Sequence, residues 1–143
     1  MASIGTELKK YLAANAGVFA LVGSRIFPVA LPQGYKASQG PALTYRVLTR
    51  ASGHLINGID GICRARIEFS AFSDEYEEAE QIADAVRDSG LPGFVGLMGD
   101  KRIESVQISD GGDTYDESPS DGGQTHRYVT VFDYLVTYQE SKP

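Results

Sequence analysis

The sequence predicts an α+β fold, a four-stranded, mainly antiparallel sheet with two helices packed on one face, in the order α-β-β-α-β-β. Three observations carry this. Apolar residues recur at helical spacing near the N-terminus and again after Ser73. Strict alternation of apolar and polar residues marks two strands between those helices. Two more strand-like runs, "KRIESVQISD" and "HRYVTVFDYLVTY", close the chain.

The elements follow in order. Ile4, Leu8, Tyr11 and Leu12 share one helical face, and Ser3 or Thr6 can cap the start, so the first helix runs from Ile4 to about Ala14, where "NAG" ends it. A helical turn, Val18 to Gly23, is too short to stand alone and must lean on the rest of the fold. From Leu43 the period becomes two, with Leu43, Tyr45, Val47 and Thr49 on one face and Thr44, Arg46, Leu48 and Arg50 on the other. Asn57-Gly58 and Asp60-Gly61 are turn signals. After them Cys63, Ala65, Ile67, Phe69 and Ala71 face the core, while Arg64, Arg66, Glu68 and Ser70 face water or a partner. Ser73 or Asp74 caps the second helix, whose apolar stripe is Tyr76, Ala79, Ile82, Ala83 and Val86, and Gly90 with Pro92 stops it. The last strand is apolar on both faces, as expected of a central strand or of one whose outer face meets another subunit. Between the last two strands the Gly- and Asp-rich stretch at about 110–125 reads as a mobile loop.

Composition bounds the function. The chain has 143 residues, 42% hydrophobic and 22% charged. That is the size and balance of a single globular domain, taken here as 1–143. A formal net charge of −6 opposes nucleic-acid affinity, and the basic residues are scattered rather than striped. The N-terminus has no basic segment followed by an apolar core, and no apolar run reaches bilayer length, so neither an export signal nor a membrane anchor is expected. The single Cys63 excludes an internal disulfide and reads as a small core hydrophobe.

Chemistry is sparse. No nucleophile elbow, P-loop or HExxH pattern is present, and His54 and His126 have no obvious nucleophile beside them. Glu75, Glu77, Glu78 and Glu80 read as the solvated face of a capped helix. Asp110, Asp113, Asp116 and Glu117 do not follow the spacing of a calcium loop. We therefore expect no enzymatic activity, no cofactor and no metal. The unusual feature is apolar surplus: the segment "SRIFPVALPQG" carries Ile26, Phe27, Val29 and Leu31 through what composition alone would make a loop.

In order along the chain, "ALVGSRIFP", "LPQG", "PALTYRV", "RIEFSAFSD" feeding into "EEAEQIADAVRD", and "FDYLVTYQE" together resemble the tail-completion, or tail terminator, proteins of long-tailed bacteriophages and prophages. The resemblance spans nearly the whole chain. It implies a virion structural protein that forms a homo-oligomeric ring, a hexamer, at the head-proximal end of the tail. Such a ring caps the tail tube, ends tail polymerisation and joins the tube to the head-tail connector protein, with DNA passing through without specific binding. It also implies assembly in the host cytoplasm. The residues expected to meet a neighbouring subunit or partner are Arg25, Ile26, Phe27 and Pro28 at the domain edge, and Arg64, Arg66 and Glu68 on the open sheet face. Two other readings stay open: another head-tail joining protein, such as an adaptor or stopper, and a small-ligand-binding α+β module.

Overall fold

A computed structural model describes residues 3–35, 40–55, 58–116 and 127–139. Two helices come first, α1 (Ile4–Ala13) and α2 (Ala16–Val22), then strands β1 (Ile26–Pro28), β2 (Ala42–Leu55) and β3 (Gly58–Ser73). Helix α3 (Tyr76–Asp88) and strands β4 (Gly96–Met98), β5 (Lys101–Asp116) and β6 (Tyr128–Gln139) complete it. The strands form one six-stranded sheet in the order β1-β2-β3-β6-β5-β4. β1 runs parallel to β2, and every other pair is antiparallel.

This corrects the expected four-stranded antiparallel sheet with two helices. The additions are a strand at each edge and a third helix. β1 and β4 have three residues each, too few to show any periodicity in the sequence. Pro28 is tolerated in β1 because the strand lies at the sheet's edge. The short helix α2 exists because Asn15, directly after the Ala14 that caps α1, starts the next helix: its side chain accepts a hydrogen bond from Val18 N at 3.0 Å. The sheet is also curled rather than flat. Register shifts interrupt β2–β3 at Val47/Thr49 and Ser52/His54, and β5–β6 at three places, and each bulge bends the strand and adds twist. The first bulge reverses the expected facing: Thr49 stands opposite Arg66 and Arg50 opposite Ala65, so the alternation read from Leu43 holds only as far as Val47.

The helices cover the sheet face that carries Cys63, Ala65, Ile67 and Phe69. Ile4, Leu8 and Leu12 of α1, Val18 and Val22 of α2, and Ile82 and Val86 of α3 join these residues in one buried cluster. Phe69 stacks on Phe132 with centroids 5.4 Å apart and meets Tyr134 edge-on at 5.6 Å. Ser3 Oγ caps α1 by accepting from Thr6 N. At α3 the Ser73 hydroxyl accepts from Glu75 N and donates to Glu78 Oε1, tying strand end to helix start. Glu7, 4% exposed, reaches from α1 to the β4–β5 turn, where its carboxylate fills the space that a Cβ on Gly99 would need. Gly99 also has φ +65°, so a glycine serves twice there.

The stretch read as a loop at 110–125 begins as strand, because β5 continues to Asp116. The remainder of that stretch, His126, and residues 36–39 lie outside the described residues.

Candidate assembly surface

Among the described residues, the other face of the sheet has no helix on it. Along β2, β3 and β6 it is built from Thr44 and Arg46, from Arg64, Arg66, Glu68 and Ser70, and from Val131, Asp133, Leu135 and Thr137. Glu68 stands directly opposite Asp133, two carboxylates that would repel across the strands. Each is held by an arginine. Arg46 Nη2 lies 3.1 Å from Glu68 Oε1, and Arg66 Nη2 lies 3.0 Å from Asp133 Oδ2, with its Nε also donating to that oxygen at 3.1 Å. Asp133 is 8% exposed, deep enough for its pairing to matter, while Arg46 is exposed and its pair is weaker. The result is a charge-balanced stripe flanked by the exposed apolar residues Leu48 and Leu135. Arg64 is exposed beside it.

The proline segment lies over one end of this face. Residues Val29 to Pro32, Gly34 and Tyr35 border a groove of about 450 Å³ whose floor includes Thr44, Ser70 and Phe72 and whose rim includes Arg46 and Arg127. The segment is fixed at its base. Leu43 N donates to Arg25 O at 2.9 Å, Ile26, Phe27 and Pro28 stand beside Leu43, Thr44 and Tyr45, and Val29 N donates to Tyr45 O at 2.8 Å. Arg25 spends its guanidinium inside the chain, Nε donating to Pro41 O at 2.6 Å. Ile26 is buried in the core, Phe27 is half-buried with its ring edge-on to Tyr35 at 6.4 Å, and Pro28 is exposed. Immediately after β1, Val29 adopts φ +70° while 67% exposed, a conformation that a β-branched residue rarely holds.

The seven residues singled out from sequence therefore fall into three environments. Arg66 and Glu68 come together with Arg46 and Asp133 in the stripe, with Arg64 at its side. Pro28, with half-buried Phe27 behind it, is the outward part of the proline segment. Arg25 and Ile26 serve the fold. Sequence reading missed Asp133 and Arg46 as partners, although a single carboxylate inside the apolar run "VFDYLV" was a signal that something must pair with it.

A second hollow, about 230 Å³, lies on the helix side between α3 (Glu80, Asp84, Arg87) and the sheet residues Ile108, Thr130, Phe132 and Tyr134. Arg87 Nη2 is engaged by Asp84 Oδ1 at 2.7 Å. Burial pushes the Tyr134 phenol up to about 12, which keeps it neutral at physiological pH and makes it a poor acid or base there. Among the described residues no group of three or more His, Cys, Asp or Glu is placed to hold a metal ion.

Among the described residues the molecule is thus a sheet backed by helices on one face and lined by paired charges on the other. The chain matches the family described as "Tail completion protein gp17" over residues 6–137, nearly its whole length, and belongs to that family. It is thus a structural protein of bacteriophage-type tails and a part of the virion. Among solved structures it is similar to a chain described as "Virion of native gene transfer agent (GTA) particle", with a TM-score of 0.68 and 20% identity, covering 94% of this chain and 95% of the other. At that identity the likeness speaks for the fold. Compared with curated protein sequences, the chain finds no significant match.

Proposed function

We propose that this protein closes into a ring that caps the tail tube at its head-proximal end, stops tube growth and offers a docking face to the head connector. Six copies is the number the family resemblance implies. The observation that carries the reading is the bare sheet face in a chain that belongs to a tail completion family. Such a face is an unfinished surface, and in a ring each subunit contact is repeated by rotation, so a modest contact yields a closed and stable cap. The work is binding, with no chemical step. Arg66, Glu68 and Arg64 on the stripe, and Phe27 and Pro28 on the proline segment, lie at subunit or tube contacts. Charge supports the same reading: a stripe in which Arg46 and Arg66 are neutralised by Glu68 and Asp133, in a chain of net charge −6, gives phosphates little to hold, which suits a channel that DNA must pass.

The test is polymerisation. Purified tail-tube protein is allowed to elongate with and without this protein, and tube length is read by electron microscopy. Shortened tubes bearing a cap at one end support the reading. Tubes of unchanged length, together with binding to portal-side proteins, would replace the terminator with a head-tail adaptor.

A further inference from the structure

Both edges of the sheet are left mostly open. β1 covers β2 only beside Leu43–Tyr45, and β4 covers β5 only beside Lys101–Ile103, with Gly93 N donating to Val106 O at 2.8 Å just beyond. Past those points β2, from Arg46 to Leu55, and β5, from Gln107 to Asp116, have a strand on one side only among the described residues. A long open edge presents a row of backbone donors and acceptors and invites another strand.

The two edges complement each other. Reading across β3 and β6, β2 and β5 run in opposite directions. A copy that continues the sheet in the same sense therefore brings its β2 antiparallel to the first copy's β5, the arrangement of most pairs already present. The stretch "RVLTRASGHL" along β2 carries Arg50, beside an Arg46 already paired with Glu68, and no carboxylate, whereas "QISDGGDTYD" along β5 carries Asp110, Asp113 and Asp116 and no cation. Joining like edges would set like charges together, while joining unlike edges pairs them. Leu48, Ile108 at 50% exposure and Tyr115 at 49% lie along the same edges and would lose exposed apolar surface on pairing. Each open stretch carries two register shifts, Val47/Thr49 and Ser52/His54 against Ile108/Asp110 and Gly111/Thr114. Bulged edges reject a flat strand, which limits indiscriminate pairing and favours a partner bulged to match. The open stretches also lie at different heights, β2's beside Gly58 to Glu68 of β3, and β5's level, through β6, with Arg66 to Ser73. Pairing them slants the strands, as closing any sheet requires.

We propose that the β5 edge of one copy pairs antiparallel with the β2 edge of the next, joining the copies head to tail. This rests on the ring reading above and supplies its subunit contact. Such a contact is heterologous, so it builds a ring when the rotation closes.

The test uses two full-length single-edge variants, Arg50→Cys and Asp113→Cys, each with Cys63→Ala, under mild oxidation, with the light-scattering mass of the unaltered chain measured in parallel. Disulfide-linked dimers should form roughly tenfold faster in the mixture than with either variant alone, because pairing raises the effective concentration of one thiol at the other. Independently, Arg50→Asp and Asp113→Arg should each weaken self-association roughly tenfold and recover most of it when combined in one chain. An assembled mass with no preference for the mixed dimer and no charge rescue overturns the edge pairing and leaves the ring reading standing. A chain that stays monomeric at every concentration, with and without tube protein, overturns the ring reading and the edge pairing with it.

Discussion

The two faces of this sheet are made from the same strands, and they differ in what finishes them. On one, Cys63, Ala65, Ile67 and Phe69 are sealed by three helices into a dry cluster. On the other, one residue along, Arg66 and Glu68 sit in ion pairs that leave the surface open. The difference teaches where to look for each property. Packing on the helix side sets stability, since apolar burial is the dominant favourable term. The ion pairs of the other side, Arg46 and Arg66 being partly exposed, contribute less to stability.

That contrast can be broken most severely from the closed side. Phe69→Ala removes the ring that stacks on Phe132 and meets Tyr134 edge-on and should cost about 3–5 kcal/mol, read as a large drop in the denaturation midpoint. Next comes Gly99→Ala, which forces a Cβ into the place of the Glu7 carboxylate at a left-handed φ; about 2 kcal/mol or more should be lost. The Gly99→Ala, Glu7→Ala double variant should lose less than the sum of its parts.

Alkaline pH probes the same side. Burial raises the Tyr134 pKa from 10.0 to about 12, so the folded chain keeps a proton that the unfolded chain gives up. The stabilising contribution of the neutral phenol is whole below pH 10 and is lost as pH rises toward about 12. Tyr134→Phe should flatten that part of the stability profile in denaturant titrations. If the wild-type curve has no alkaline slope that the variant lacks, the buried-phenol account fails.

The open side should respond weakly. Val29→Gly relieves a strained backbone at the cost of some chain entropy, for a net gain of about 0.5 kcal/mol in thermal unfolding. Arg46→Ala, at an exposed pair, should cost about 0.5 kcal/mol and barely move the midpoint.

The sequence was most legible where periodicity is long. Ile4–Ala13, Tyr76–Asp88 and the core face of β3 announce themselves because each buries an apolar stripe, although Tyr76, read as part of the stripe of α3, is 48% exposed. β1 and β4 could not be read, since three residues fix no period. The bulge after Val47 could not be read either, because a register shift depends on the partner strand and leaves no mark in local composition. At the candidate surface, Arg66 and Glu68 were found by alternation alone. Arg46 and Asp133 were not, since cross-strand pairs join residues far apart in the chain. Arg25 was read as a subunit or partner contact; its hydrogen bond to Pro41 O could not be foreseen, because the acceptor is a backbone carbonyl sixteen residues along the chain.

The most direct test of the contrast between the two faces is the mass that Arg64→Glu, at an exposed position of the uncovered face, reaches on tail-tube protein beside the unaltered chain. Both are measured by light scattering over a range of concentrations, with the thermal midpoint recorded. The unaltered chain should reach a hexamer-range mass on tube protein, and Arg64→Glu should give clearly less of that complex while its midpoint moves by a few degrees at most. An Arg64→Glu chain that loads onto tube protein as well as the original would contradict the contrast, and so would one that unfolds outright.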